Sequence, residues 1–234
     1  MTNAHEKRGI GTLGERTLHS VLKHFFEPDT SFHEIKLGRY VADICKDGEI
    51  TEIQTRQFSS LKNKLTAYKD DYKVNVVYPI AAEKYISWIN PESGEVGERH
   101  KSPKQGKPWD ILYELYSLRP IMPLTDVRFT LAFCNIEEFR LLTGRSKDKK
   151  HFGASRFERI PTELIGKLTL EKASDFSVLI PDTLGDTFTA TEFAKAAKMT
   201  RRRAGYAILT LISFGVIEHS ETVKRTYIYK RKTL

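Results

Sequence analysis

The chain has 234 residues, 40% hydrophobic and 29% charged, enough for one large domain or two modest ones with a real core. No stretch approaches the ~20 apolar residues of a membrane-spanning helix, "MTNAHEKRGIGTLGER" has no signal-peptide character, and two cysteines are too few for a disulfide framework or a cysteine zinc site. The expectation is a cytoplasmic protein with reduced thiols and no membrane partner. A formal net charge of +8 suits a polyanion, nucleic acid foremost, although solubility alone also accounts for a basic balance.

Taken in chain order, the apolar spacing predicts a first helix over about 12–26, with Leu18, Leu22 and Phe25 on its broad face. Glu15 sits on or beside that face, an unusual place for a lone acid. Strands are expected over 32–37, 40–46 and 49–55, with Gly38 and Asp47-Gly48 as turn signals. "FSSLKNKLTAYKDDY" reads as a helix with Leu61, Leu65, Tyr68 and Tyr72 as its stripe. "KVNVVYPI" reads as a short buried strand closed by Pro79, followed by a helix over 81–88. The polar, Gly- and Pro-rich 90–108 is expected to be a loop, and "WDILYELYSL" a helix ended by Pro120. The segment 121–182 has no assignable fold, though "VRFTLAF", "ELIGKLTL" and "FSVLIP" read as strands.

The last fifty residues read more clearly. "TATEFAKAAKM" is a short helix capped by Thr189 or Thr191, and "TRRRAGYAILTLISFG" is a second helix from Thr200 to Gly215. "VIEHSETVKRTYIYKR" makes two strands around a polar turn. Helix, turn, helix and β-hairpin is the pattern of a winged helix. From Thr200 onward eight basic residues face two acids, so most of the charge surplus lies at this end. Arg201, Arg202 and Arg203 open the second helix and Lys224 and Arg225 lie on the hairpin, which makes these five the candidate DNA contacts. Dimerisation or packing is the competing use of the same module.

The hairpin "VADICKDGEITEIQTR" raises a charge problem. A two-residue turn at Asp47-Gly48 places Lys46 opposite Glu49 and therefore Asp43 opposite Glu52. Opposed residues have Cβ atoms roughly 4.5–5.5 Å apart, where like charges repel. Three explanations compete: the pair is solvated; Lys36, Lys62 or Lys64 neutralises it; or a divalent cation bridges it. Oxygen ligands without His or Cys suit Mg²⁺ or Mn²⁺.

A helix bearing Glu15, then Asp43, then Glu52-x-Gln54 on neighbouring strands resembles the PD-(D/E)XK nuclease superfamily, which includes Holliday-junction resolvases and many restriction endonucleases. The resemblance covers roughly residues 9–80. It implies an α/β (α+β) fold with a restriction endonuclease-like αβββαβ core and a mixed sheet. It also implies metal-binding roles for Asp43, Glu52 and Glu15. Gln54 stands where the family usually has lysine, so Lys64 or Lys62 is the candidate for the missing positive charge, and Gln54 for orienting the attacking water. The expected organisation is a nuclease-like domain over 1–120, a middle segment over 121–182 and a winged-helix domain over 183–234. The expected function is Mg²⁺- or Mn²⁺-dependent DNA cleavage in restriction, defence, repair or a mobile element. The alternative is a non-catalytic DNA-binding regulator with an inactive nuclease-like domain. A double-strand cutter needs two active sites, which makes a homodimer a candidate assembly.

Overall fold

The computed structural model describes residues 13–122, 126–143 and 153–233, with side chains from Thr17 onward. The fold is mixed α/β. Strands β1 (His33–Leu37), β2 (Tyr40–Lys46), β3 (Glu49–Ile53), β4 (Lys73–Ile89), β6 (Val127–Leu142) and β7 (Ala154–Leu170) form one sheet in the order β1-β2-β3-β4-β6-β7, with β5 (His100–Lys101) against β4. The sheet is mixed, because β2 and β3 pair antiparallel whereas β3 and β4 pair parallel. A smaller sheet joins β8 (Thr187–Thr189), β9 (Ile217–Val223) and β10 (Thr226–Arg231) in the order β8-β10-β9. The α-helices are α1 (Leu13–Phe26), α2 (Lys62–Tyr68), α3 (Leu112–Leu118), α4 (Ala190–Ala196) and α5 (Arg201–Ser213). Among the described residues no helix is long and apolar enough to cross a membrane.

The chain divides into two compact units, each assembled from separate stretches. The first draws on Met1–His33, Pro79–Gly106 and Ala132–Gly166; the second on Glu34–Tyr78, Lys107–Leu131 and Lys167–Leu234.

In the second unit the β2–β3 turn forms as expected. Asp47 and Gly48 adopt φ of 49° and 78°, the left-handed pair a tight hairpin turn requires, and Lys46↔Glu49, Cys45↔Ile50 and Ile44↔Thr51 fall in register. A 3₁₀ turn, Phe58–Leu61, leads into α2, and together they bury Phe58, Leu61, Leu65 and Tyr68. Fully burying such a side chain contributes roughly 1.5–3 kcal/mol. Thr189 caps α4 through a reciprocal bond pair with Glu192, and Thr200 caps α5 by accepting from the Arg203 amide. Gly215, at φ 72°, ends α5. The α5 helix packs on α3: Thr210 Oγ1 donates to the Leu112 carbonyl, and the Tyr206 ring meets Tyr113 and Tyr116. The β9–β10 hairpin turns through Lys224 and Arg225, both with left-handed backbone, φ 45° and 67°.

Three expectations from the sequence are corrected. Residues 81–88 are not a helix: β4 continues through them to Ile89. Pro79 does not close that strand, because its missing N–H falls past the end of the ladder with β3, whose last partner on β4 is Val77. "FSVLIP" is not a strand but lies largely in a 3₁₀ helix, Ala173–Leu179, whose Phe176 and Leu179, three apart, both turn inward. The stretch 90–108 is also more ordered than a loop. Its β5 pairs with β4, Ser102 N–H donates to the Lys84 carbonyl and Gly106 N–H to the Ala81 carbonyl. Gly106 lies so close that a Cβ there would come within 2.7 Å of Ile80 and 3.2 Å of the Ala81 backbone.

Candidate functional site

Asp43 and Glu52 come from β2 and β3, so the turn that sets the hairpin register also sets their spacing. Glu52 is 2% exposed. That rules out solvation as the answer to the charge problem. Its Oε2 accepts from Lys64 Nζ at 2.6 Å, and its Oε1 is buried with no hydrogen-bond partner. Asp43 is half-buried, and its Oδ2 accepts from the Ile53 amide at 2.8 Å. Burial, and then the Asp43 charge, push the Glu52 pKa up to about 7 against the pull of Lys64.

Lys64 reaches Glu52 because α2 begins at Lys62, and its side chain is only 16% exposed. One helical turn on, the Tyr68 hydroxyl is buried without a hydrogen-bond partner. Its acidity is suppressed by burial first, then by the charges of Glu52 and Asp43. The sequence placed Tyr68 as core packing. Its ring does pack edge-on against Tyr40 and Tyr72, but its polar end belongs to the carboxylate cluster. The spacing of Lys64 and Tyr68, i and i+4, was the signal for that. Tyr68 and Lys36 also line a cavity of about 380 Å³.

Gln54 lies two residues beyond Glu52 but is committed elsewhere. Its Nε2 donates to the Arg56 carbonyl at 2.7 Å and to Ser60 Oγ at 3.4 Å. The structure thus brings together Asp43, Glu52 and Lys64, and it turns the Gln54 amide nitrogen toward the loop after β3. Glu15 lies in α1, and its side chain is outside the described residues.

Lys64 pairs with Glu52 through Oε2 alone, which leaves the other Glu52 oxygen buried and unsatisfied beside a second carboxylate. Among the described residues no group of three or more His, Cys, Asp or Glu forms a metal cluster. Mg²⁺ commonly takes only one or two carboxylates and keeps several waters, so Asp43 and Glu52 fit it, or Mn²⁺, in donor type and charge. An orphaned carboxylate oxygen costs free energy that a bound cation offsets.

The basic residues at the other end of the chain separate into two groups. Arg202 donates from Nε to the Tyr206 hydroxyl at 3.1 Å, and Arg203 sits 4.7 Å from the centre of the Tyr113 ring. Arg203 also lines a cavity of about 290 Å³ with Trp109, Asp110, Tyr113 and Thr200. Burial raises the Asp110 pKa, opposed by the Lys107 amide and the Arg203 charge. All five candidate cations are exposed; Arg201, Lys224 and Arg225 make up the second group, the latter two at the hairpin tip.

Residues 16–171 match a protein family described as "Domain of unknown function (DUF8091)". No curated protein and no solved structure gives a match. The matched span covers Asp43, Glu52, Gln54 and Lys64 and stops before α4. The chain therefore belongs to the DUF8091 family.

Proposed function

We propose that the protein is a metal-dependent DNA endonuclease of the PD-(D/E)XK type, with its C-terminal helices and hairpin serving as a winged-helix DNA-binding module. The observation that carries this is Glu52: a carboxylate 2% exposed, facing Asp43, with Oε1 unsatisfied. The order α1, β1, β2, β3, α2, β4 supports the nuclease-like core, and α4, α5, β9 and β10 in sequence support the winged helix.

In this reading Asp43 and Glu52 hold Mg²⁺ or Mn²⁺. When bound, the ion supplies an activated water and offsets charge developing on the scissile phosphate. Lys64 balances the second carboxylate before the ion arrives and provides a positive charge beside the phosphate afterwards, the part the family usually gives to the residue at Gln54. The Tyr68 hydroxyl is a donor already desolvated and aimed at no protein acceptor. Arg201, Lys224 and Arg225 meet backbone phosphate, while Arg203 steadies the module against Tyr113.

Plasmid cleavage with Mg²⁺ or Mn²⁺ tests the reading. The wild type is expected to nick or cut, and Asp43→Ala and Glu52→Ala are expected to be inactive; activity surviving both substitutions sinks it. The 2.6 Å Lys64–Glu52 ion pair and the engaged Gln54 amide favour a second reading, a DNA-binding regulator with a closed, inactive site. An inactive wild type that still binds duplex with a steep salt dependence selects that one.

A further inference from the structure

A second cluster of charge lies in the first unit, on strands that the carboxylate site does not use. Lys84 comes from β4, Glu138 and Arg140 from β6, and Arg156 and Arg159 from β7. Glu138 is 1% exposed. Arg140 holds its Oε1 with two contacts, Nε at 2.7 Å and Nη2 at 2.5 Å. The other oxygen, Oε2, faces Lys84 Nζ at 3.5 Å, Arg156 Nε at 3.6 Å and Arg159 Nε at 4.0 Å. Those separations are electrostatic contacts, too long for strong hydrogen bonds.

Among the described residues the charges do not balance: even with Arg159 left aside, Lys84, Arg140 and Arg156 share a single carboxylate. Of the neighbouring described acids, Glu83 is paired with Lys101 and Glu137 with Arg99, while Glu158 and Glu163 turn to the neutral donors Thr17 and Asn135 and make no ion pair with these cations. The Lys84 and Arg140 side chains are each 16% exposed, so the surplus is largely desolvated, where uncompensated charge is costly. Burial lowers the Lys84 pKa, and the three arginines lower it further against Glu138. Arg156, 55% exposed, forms the open rim. A surplus of two charges, with guanidinium N–H groups at the rim, matches a phosphate dianion better than a carboxylate.

We propose that Lys84, Arg140 and Arg156, gathered around Glu138, form a phosphate-binding site, taking either a nucleic-acid backbone phosphate or a free phosphate compound. Glu138 is its internal counter-ion, orienting Arg140 and keeping the cluster assembled while no ligand is bound. The site needs no metal and stands apart from the nuclease reading.

The test uses the full chain in EDTA, where no cleavage occurs, so its outcome is independent of Asp43 and Glu52. Isothermal titration measures pyrophosphate, with acetate as a monoanion control, and fluorescence anisotropy measures a labelled duplex. Wild type is expected to bind pyrophosphate and not acetate, and Arg156→Gln, at an exposed position that leaves folding intact, to weaken it about tenfold. Glu138→Gln, checked by circular dichroism to be folded, is expected to tighten binding several-fold, which a purely structural ion cluster would not do. If backbone is the source, pyrophosphate competes with duplex and Arg156→Gln lowers the salt slope by about one. If a free compound is the source, duplex binding is unchanged by the substitution while pyrophosphate binding falls. Equal pyrophosphate affinity in wild type and Arg156→Gln, or no binding to wild type, overturns the proposal.

Discussion

Glu52 and Glu138 are both glutamates on strands of the larger sheet, 2% and 1% exposed, yet their surroundings carry opposite surpluses. Glu52 faces another carboxylate and receives one ammonium; its pKa is pushed up to about 7. Glu138 stands among a lysine and three arginines, and the cations hold its carboxyl below the ordinary range despite burial. The same side chain, equally buried, is short of positive charge in one place and over-supplied with it in the other. Burial alone therefore says little about what a buried acid is for. The sign of the charge left over indicates whether the partner still missing is a cation or an anion.

The largest effect that would break the comparison concerns cleavage. Asp43→Ala or Glu52→Ala is expected to lower metal-dependent DNA cleavage by about three orders of magnitude, some 4 kcal/mol of barrier, in a plasmid assay. Glu138→Gln should leave cleavage chemistry alone and act on stability, costing about 3 kcal/mol at neutral pH, because it strips the cations of their counter-charge. The folded-state pKa of Glu138 lies below the unfolded value, so its contribution is present above the ordinary value of 4.5 and lost as pH falls through the depressed one. Urea denaturation of both proteins should show the gap wide at pH 7 and closing in acid. A gap independent of pH would mean that the charge of Glu138 is not what matters.

Mg²⁺ distinguishes the two environments next. At a hundredfold excess over its dissociation constant it should stabilise the wild type by about 2.7 kcal/mol relative to EDTA. Asp43→Asn should abolish that gain and Glu138→Gln should keep it, both read from thermal unfolding. The smallest contrast is between the lysines. Lys64→Met removes the one cation paired with Glu52 among the described residues and should cost about 2 kcal/mol in EDTA. Lys84→Met leaves Glu138 with Arg140 and should fall within about 0.5 kcal/mol of wild type. Equal costs would show that the two surpluses are not distinct.

The carboxylate hairpin was legible because its information is local. Asp47-Gly48 dictates a left-handed turn, the turn dictates the register as far as Ile44↔Thr51, and Asp43 and Glu52 follow next along their strands, close enough for their charges to interact. Thr189, Glu192 and Thr200 marked helix starts for the same reason. The Glu138 cluster was not legible, since Lys84 and Arg159 are 75 positions apart and meet only once β4, β6 and β7 are placed. Reading 81–88 as a helix hid Lys84 further. The two-residue period of Glu83, Tyr85 and Ser87 against Lys84, Ile86 and Trp88 was present, but Pro79 looked like a stop. One signal was available on β6: Cys134, Ile136 and Glu138 alternate onto one buried row, an acid at the end of an apolar series, as with Glu52. Arg203 shows the converse limit. It is exposed at the start of α5, as its position suggested, but its stacking on Tyr113 depends on α3, some ninety positions earlier, and no local pattern announces it.

The turn joining β9 to β10 has a consequence for how that hairpin meets anything charged. Lys224 and Arg225 both occupy backbone that glycine and asparagine adopt readily and other L-residues adopt at roughly 1–2 kcal/mol each. Asn-Gly at these two positions would give a calmer, more stable turn with a bare tip. As it stands, the hairpin carries that backbone cost with a cationic side chain at each of its two turn positions. An anionic surface arriving at that tip would find the backbone already ordered, and only the side chains left to settle.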